Sequence, residues 1–225
     1  MQNPAIPLDV VSDVMCPWCY IGKRRLEQAL AATAGVDIDV RWRPFQLDAT
    51  IPEGGMDRQE YLANKFGGAE GAAEVYKPVR EAGAAEDIPF NFEAITRSPN
   101  TINAHRVIRW SHSVGLQDQV VEGLFKLYFI DGGDLTDNNA LIEAAAEAGM
   151  DREIVERLIN SDADIEETKN EIALAQQMGV TGVPTFIVGQ KYAVVGAQGP
   201  EIIAGAIAKV MEEGVQELEP GPAPV

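Results

Sequence analysis

The rhythm of apolar and polar positions changes several times along the chain, and each change marks a different kind of element. Positions 6–11 are rich in branched residues, which predicts a strand that ends at Ser12-Asp13. Over 16–34, Leu26, Ala29, Leu30 and Thr33 recur at three- and four-residue spacing, and Gly35 stops the run, so a helix is predicted. Val36, Ile38, Val40 and Trp42 then alternate with charged residues, so 36–43 reads as a strand with one apolar face. Together these form a β-α-β unit. No strand is predicted between 43 and 185; helical patterns fill that stretch at 57–66, 70–82, 101–114, 117–130, 137–148, 151–160 and 162–178. Next come a strand at 185–188, a turn through Gly189-Gln190-Lys191, a strand at 192–195 and a closing helix over 200–213. The tail from Leu218 to Pro224 is Pro-rich and acidic and is expected to be disordered. No internal repeat is present.

A chain of 225 residues with 46% hydrophobic and 24% charged positions can bury a core without disulfides or metals to hold it. No stretch approaches the roughly 20 apolar residues of a membrane helix, and the first residues show neither the basic nor the apolar segment of a secretory leader. A cytoplasmic protein without a membrane partner is therefore expected. The net charge of −17 argues against nucleic acid as a partner, since phosphate binding needs a basic face. That charge is uneven. Residues 1–112 carry 12 basic and 15 acidic side chains, whereas residues 113–225 carry 6 and 20, a pattern expected of solvated helix faces.

The chain has only two cysteines, Cys16 and Cys19, in one C-x-x-C, which excludes a disulfide-stapled secreted fold. A zinc site needs two more ligands, and the histidines, His105 and His112, are distant and seven residues apart. A pair of buried small hydrophobes is a second reading, and a redox pair is the third. Context favours the third. The pair follows a strand and opens a helix, with Pro17 suited to the first turn because it has no N–H to leave unbonded. Residues i and i+3 of a helix have β-carbons about 5–6 Å apart, near the roughly 4 Å that a disulfide needs. The positive helix N-terminus favours a thiolate on the cysteine nearest to it. Cys16 is thus the expected attacking thiolate, and Cys19 the resolving thiol.

Far downstream, Thr181-Gly182-Val183-Pro184-Thr185-Phe186 is by itself a turn into a strand. Together with Cys16-Pro17-Trp18-Cys19 it resembles the DsbA-like branch of the thioredoxin superfamily. More narrowly, the chain resembles FrnE-type oxidoreductases and their relatives, the 2-hydroxychromene-2-carboxylate isomerases and kappa-class glutathione transferases. The matches run in family order: Ser12-Asp13, Arg43-Pro44-Phe45-Gln46-Leu47, Ser98-Pro99-Asn100-Thr101 with Ala104-His105-Arg106, Gly182-Val183-Pro184-Thr185-Phe186 and Gly196-Ala197-Gln198.

The resemblance implies an α/β protein with a thioredoxin-like fold split by a large all-helical insertion. Its first half, with the cysteines, would span 1–52, the inserted helices 53–160, and the second half, with the proline loop and tail, 161–225. It also implies that Pro184 is cis and lies against the cysteines, and that the backbone of Val183 pairs with an incoming peptide or glutathione. Pro17, Trp18, Val183, Thr185, Asn100, Thr101 and Gln198 are the implied substrate- or thiol-binding residues. Ligand contacts by Asn100 and Thr101 rest on the resemblance alone.

Two functions follow from it. One is a thiol–disulfide oxidoreductase or isomerase acting on protein or small-thiol disulfides, with no cofactor and no metal. The other is a glutathione-dependent isomerase or transferase, with glutathione as substrate or co-substrate. The isomerases and transferases typically have serine where Cys16 stands, so the intact pair favours dithiol exchange. Trp18 replaces the histidine that stabilises the DsbA thiolate, which implies a less oxidising protein. A homodimer is a family-level expectation only.

Other residues have local readings. On a helical wheel of 101–114, His105, Arg106, Arg109 and His112 fall within about 120° and read first as a solvated basic face. Ser98 reads as an N-cap with Pro99 at the first helical position. Gln198-Gly199-Pro200 opens the last helix, whose free N–H groups suit a carboxylate. Lys23, Arg24 and Arg25 place positive charge in the second turn after the cysteines.

Overall fold

The predicted first strand, β1 (Ile6–Ser12), is an inner strand of a four-stranded sheet. Its burial explains its composition: a strand flanked on both edges and covered on both faces has few positions for polar side chains. On one side it pairs in parallel with β2 (Ile38–Pro44), from Ile6 opposite Ile38 to Ser12 opposite Pro44. The parallel pairing needs a crossover, which α1 (Pro17–Ala32) supplies. The computed structural model describes residues 5–213, so the Pro-rich tail lies outside the described residues.

Seven helices follow: α2 (Arg58–Phe66), α3 (Ala69–Ala85), α4 (Ile102–His112), α5 (Gln117–Phe129), α6 (Asn138–Glu147), α7 (Arg152–Ile159) and α8 (Ile165–Gln177). The chain then returns to the sheet. Strand Thr185–Val188 pairs antiparallel with β1, Val11 facing Thr185, and its hairpin partner is Tyr192–Val195. The three-residue turn Gly189-Gln190-Lys191 joins them, with positive φ at Gly189 and Gln190, 57° and 58°, and the Lys191 N–H donating to the Val188 carbonyl at 3.1 Å. A final helix, Pro200–Glu213, packs on that hairpin and on α1.

One expectation is corrected. The region between 43 and 185 does contain strand structure, β3 (Met56–Asp57) paired antiparallel with β4 (Arg97–Ser98). Two residues are too short to show a period of two. With β3 and β4 so numbered, the return strands are β5 (Thr185–Val188) and β6 (Tyr192–Val195), the last helix is α9, and the sheet order is β2-β1-β5-β6. The β4 pairing also displaces the predicted cap of α4. It holds Ser98 extended, so α4 starts at Ile102 and its N–H is met by the Asn100 side chain, 3.2 Å away.

Aromatic stacking fastens the inserted helices to the sheet layer. Tyr20 of α1 stacks on Phe125 of α5 at 4.9 Å between centroids, and Phe129, Phe90, Phe92 and Tyr76 continue the run. On the β2 edge, α4 and α8 pack against the strand, and the side-chain amide of Gln117 bonds both the N–H and the C=O of Trp42. The edge is thereby capped at that residue.

Candidate active site

The C-terminal end of β1 sets the cysteine turn. The Cys16 N–H donates to the Asp13 carbonyl at 3.0 Å, which turns the chain out of the strand. Cys16 then takes the N-cap position of α1 in an extended conformation (φ −93°, ψ 114°), with Pro17 opening the helix. The Cys19 N–H donates to the Cys16 carbonyl at 3.0 Å, so both thiols belong to one turn, and both are free. Cys16 is 4% exposed and Cys19 0%; only Cys16 presents any surface to an incoming group.

The second half of the chain supplies the facing wall. The Val183–Pro184 bond is cis, and the Cys16 thiol donates to the Val183 carbonyl, with Sγ and oxygen 3.7 Å apart. Thr185 closes this loop through its hydroxyl, which donates to the Gly182 carbonyl at 2.8 Å. The loop lies directly on α1. A β-carbon on Gly22 would meet Pro184 Cγ at 2.8 Å and Phe186 Cζ at 3.2 Å, so only glycine allows this approach.

Electrostatics separates the two thiols. Burial pushes the Cys19 thiol well above its ordinary value, and the hydrogen bond and negative charge of Cys16 push the same way. The Asp13 N–H and the Ser12 hydroxyl pull it partly back. A thiolate at Cys16 thus keeps Cys19 protonated. Behind the turn, the fully buried Asp13 carboxylate accepts from the Leu47 N–H at 2.7 Å and lies 3.3 Å from His105 Nε2 of α4. From α3, Tyr76 lies within the field of Cys16; burial raises its phenol, the Arg58 guanidinium opposes that, and the Cys16 charge adds to it.

The model of the DSBA-like thioredoxin domain matches residues 7–208. The chain belongs to this family. Among solved structures it is similar to a probable DsbA oxidoreductase from Streptomyces coelicolor, at 29% identity and a TM-score of 0.84, covering 95% of this chain and 93% of the other. It also resembles a 2-hydroxychromene-2-carboxylate isomerase (17% identity, TM-score 0.67, covering 92% and 97%). The cytosolic disulfide reductase DsbM from Pseudomonas aeruginosa, with GSH, shares the fold at 16% identity and a TM-score of 0.63, covering 92% and 99%. The mixed sheet split by helices is this family's thioredoxin-like fold.

Within the DSBA-like domain, not every residue singled out from the sequence gathers at the cysteines. Asn100 joins the helices to the loop after β2, accepting from Gln46 Nε2 at 3.2 Å and donating to the Ile51 carbonyl at 2.8 Å. It lines a cavity of about 380 Å³ with Thr136, Asp162 and Lys169, and no residue of the cysteine turn lines that cavity. Thr101 is fully buried, with its hydroxyl unpartnered. Gln198 is exposed and its amide donates to the Val195 carbonyl at 3.0 Å. The three basic residues after the cysteines are spent elsewhere. Lys23 pairs with Glu27, Asp118 and Glu122, Arg24 with Glu122, and Arg25 with Glu86.

The basic stripe on α4 is not a solvated face at two of its four positions. His105 is buried beside Asp13, and Arg106, 1% exposed, donates to the carbonyls of Leu158 and Ile159 at the end of α7 and of Ser161 and Ala163 in the loop after it. A helical wheel misplaces both because α8 and the α7–α8 loop cover that side of α4. Among the described residues no cluster of three or more His, Cys, Asp or Glu is placed to hold a metal, and no helix is long and apolar enough to cross a membrane.

Proposed function

We propose that the protein is a thiol–disulfide oxidoreductase acting by dithiol–disulfide exchange, with Cys16 attacking and Cys19 resolving. The observation that carries this reading is the asymmetry of one turn: a single thiol at the helix N-terminus faces the Val183 carbonyl, and its partner is sealed behind it. The Cys16 thiolate attacks one sulfur of a substrate disulfide, forming a mixed disulfide and expelling the other sulfur as thiolate. Cys19 then attacks Cys16 Sγ; its proton passes to the departing thiolate, and an internal disulfide forms. Pro17, Trp18, Val183 and Thr185 frame the place where the substrate lies. The Val183 backbone supports an extended chain as an added piece of strand.

Protein disulfides and small disulfides, including that of glutathione, are the substrate class, and the cytoplasm is the compartment. The DsbM structure with GSH supports a small-thiol partner, and its name places that protein in the cytosol. The similarity to the isomerase keeps a glutathione-dependent isomerisation or transfer as the alternative outcome.

A redox titration decides between them. The protein is equilibrated in glutathione buffers of stepped ratio, acid-quenched, alkylated and weighed intact. A reversible two-electron transition to a Cys16–Cys19 disulfide is expected. Tight glutathione binding with no internal disulfide at any ratio overturns the exchange mechanism.

A further inference from the structure

The exchange chemistry uses the two cysteines and the proline loop and leaves a buried carboxyl–imidazole couple beside them unexplained. Asp13 is 0% and His105 3% exposed, and Asp13 Oδ1 lies 3.3 Å from His105 Nε2. The two are out of line for a hydrogen bond, and Nε2 has no other partner. Asp13 is also the residue whose backbone touches both cysteines: its carbonyl accepts from the Cys16 N–H, and its N–H faces the Cys19 sulfur. His105 belongs to the inserted helices, so this couple joins the insertion to the redox turn.

The other ionisable groups facing the couple do not replace His105 as its counter-charge. Tyr128 of α5 feels the Asp13 charge and is kept neutral by burial. Across a cavity of about 310 Å³ that His105 lines, Arg109 pairs with Glu171 and Asp164, and Arg43 with Asp9. The Asp13 carboxylate keeps its hydrogen bond from the Leu47 N–H, but without a counter-charge it would oppose the nearby thiolate by like-charge repulsion.

We propose that His105 is a positioning residue which, as an imidazolium, neutralises Asp13 and so sets how readily the cysteine pair takes its reduced, thiolate-bearing form. The inference rests on the dithiol reading of this site. Removing His105 leaves Asp13 uncompensated, destabilises the thiolate and favours the disulfide. Neutralising Asp13 removes the negative charge beside the thiols and does the opposite.

The test compares Asp13→Asn, His105→Gln and the double variant with the wild type, full-length, in the same glutathione titration. His105→Gln is expected to shift the dithiol–disulfide equilibrium about tenfold toward the disulfide, about 30 mV for a two-electron couple. Asp13→Asn should shift it by a similar factor toward the dithiol, and the double variant should return close to the wild type. A purely structural role moves both single variants the same way; that result, or no movement, overturns the proposal. If His105→Gln does not fold, the sign for Asp13→Asn decides alone. A wild type that forms no internal disulfide removes the exchange reading itself, and this inference with it.

Discussion

The sulfur of Cys16 and the carbonyl oxygen of Val183 lie 3.7 Å apart, although one opens the first helix and the other precedes the last strand pair. The contact exists because β1 and β5 are neighbours. With Val11 opposite Thr185, the end of β1 and the start of β5 share one edge, and the turns flanking them must meet. The Val183 carbonyl and the Cys16 thiol are thus brought together from distant parts of the chain.

Cys16→Ser should abolish reduction of a disulfide substrate, whereas Cys19→Ser should stop after the first step and accumulate a mixed disulfide at Cys16. Intact mass under non-reducing conditions, after incubation with oxidised glutathione, reads both. Turnover by Cys16→Ser comparable to wild type would contradict the assigned roles.

The contact of α1 with the proline loop predicts that Gly22→Val is costly. The added atoms meet the ring of Pro184, which cannot swing aside, and overpacking of this kind costs about 1–3 kcal/mol. A lowered urea midpoint is expected, with slower exchange because the loop is pushed away from Cys16. A variant matching the wild type in both would show that the loop is free to move.

Acid should loosen the junction of α1 and α5. Glu122 is held below its ordinary value of 4.5: burial works against its charge, but the Arg24 hydrogen bond, the Lys23 charge and the Tyr20 hydroxyl outweigh it. A carboxylate whose folded value lies below the unfolded one contributes fully above about 4.5 and loses that contribution as pH falls through the folded value. Thermal midpoints should therefore decline below about pH 4.5, and Glu122→Gln should flatten part of that decline. Asp48, also held low despite partial burial by its hydrogen bonds to Lys65 and Thr50, leaves a residual slope. An identical slope in the variant would refute the assignment.

Arg106→Ala should be among the most destabilising single changes. It strips four carbonyls of their donor, and hydrogen bonds to a charged group contribute about 1.5–3 kcal/mol each before relaxation. Arg106→Lys should recover little, because an ammonium lacks the planar fork that reaches several carbonyls at once. Urea denaturation of both variants checks this; full recovery by lysine would mean that charge alone matters.

The helices were legible because each carries its own signal. The pattern at 117–130 became Gln117–Phe129 and that at 200–213 became Pro200–Glu213, since apolar spacing and a Pro at the first position are local properties. The turn at Gly189-Gln190 was legible for the same reason. The β3–β4 pair was not, because two-residue strands are defined only by their partner. The wheel of α4 failed for the related reason that a polar stripe does not say what covers it.

For the site, the spacing of Cys16 and Cys19 after a strand was enough to place both thiols in the first turn of α1, with Cys16 nearer its N-terminus, since these are properties of one turn. What that stretch could not contain is its surroundings. The Asp13–His105 couple, the fit of Gly22 against Pro184 and the ion pairs of Lys23, Arg24 and Arg25 with Glu122 and Glu86 depend on which segments the sheet order and the inserted helices bring together. Local sequence determines what a residue can do chemically; burial and charge compensation are set by non-local neighbours, and only the tertiary structure decides those.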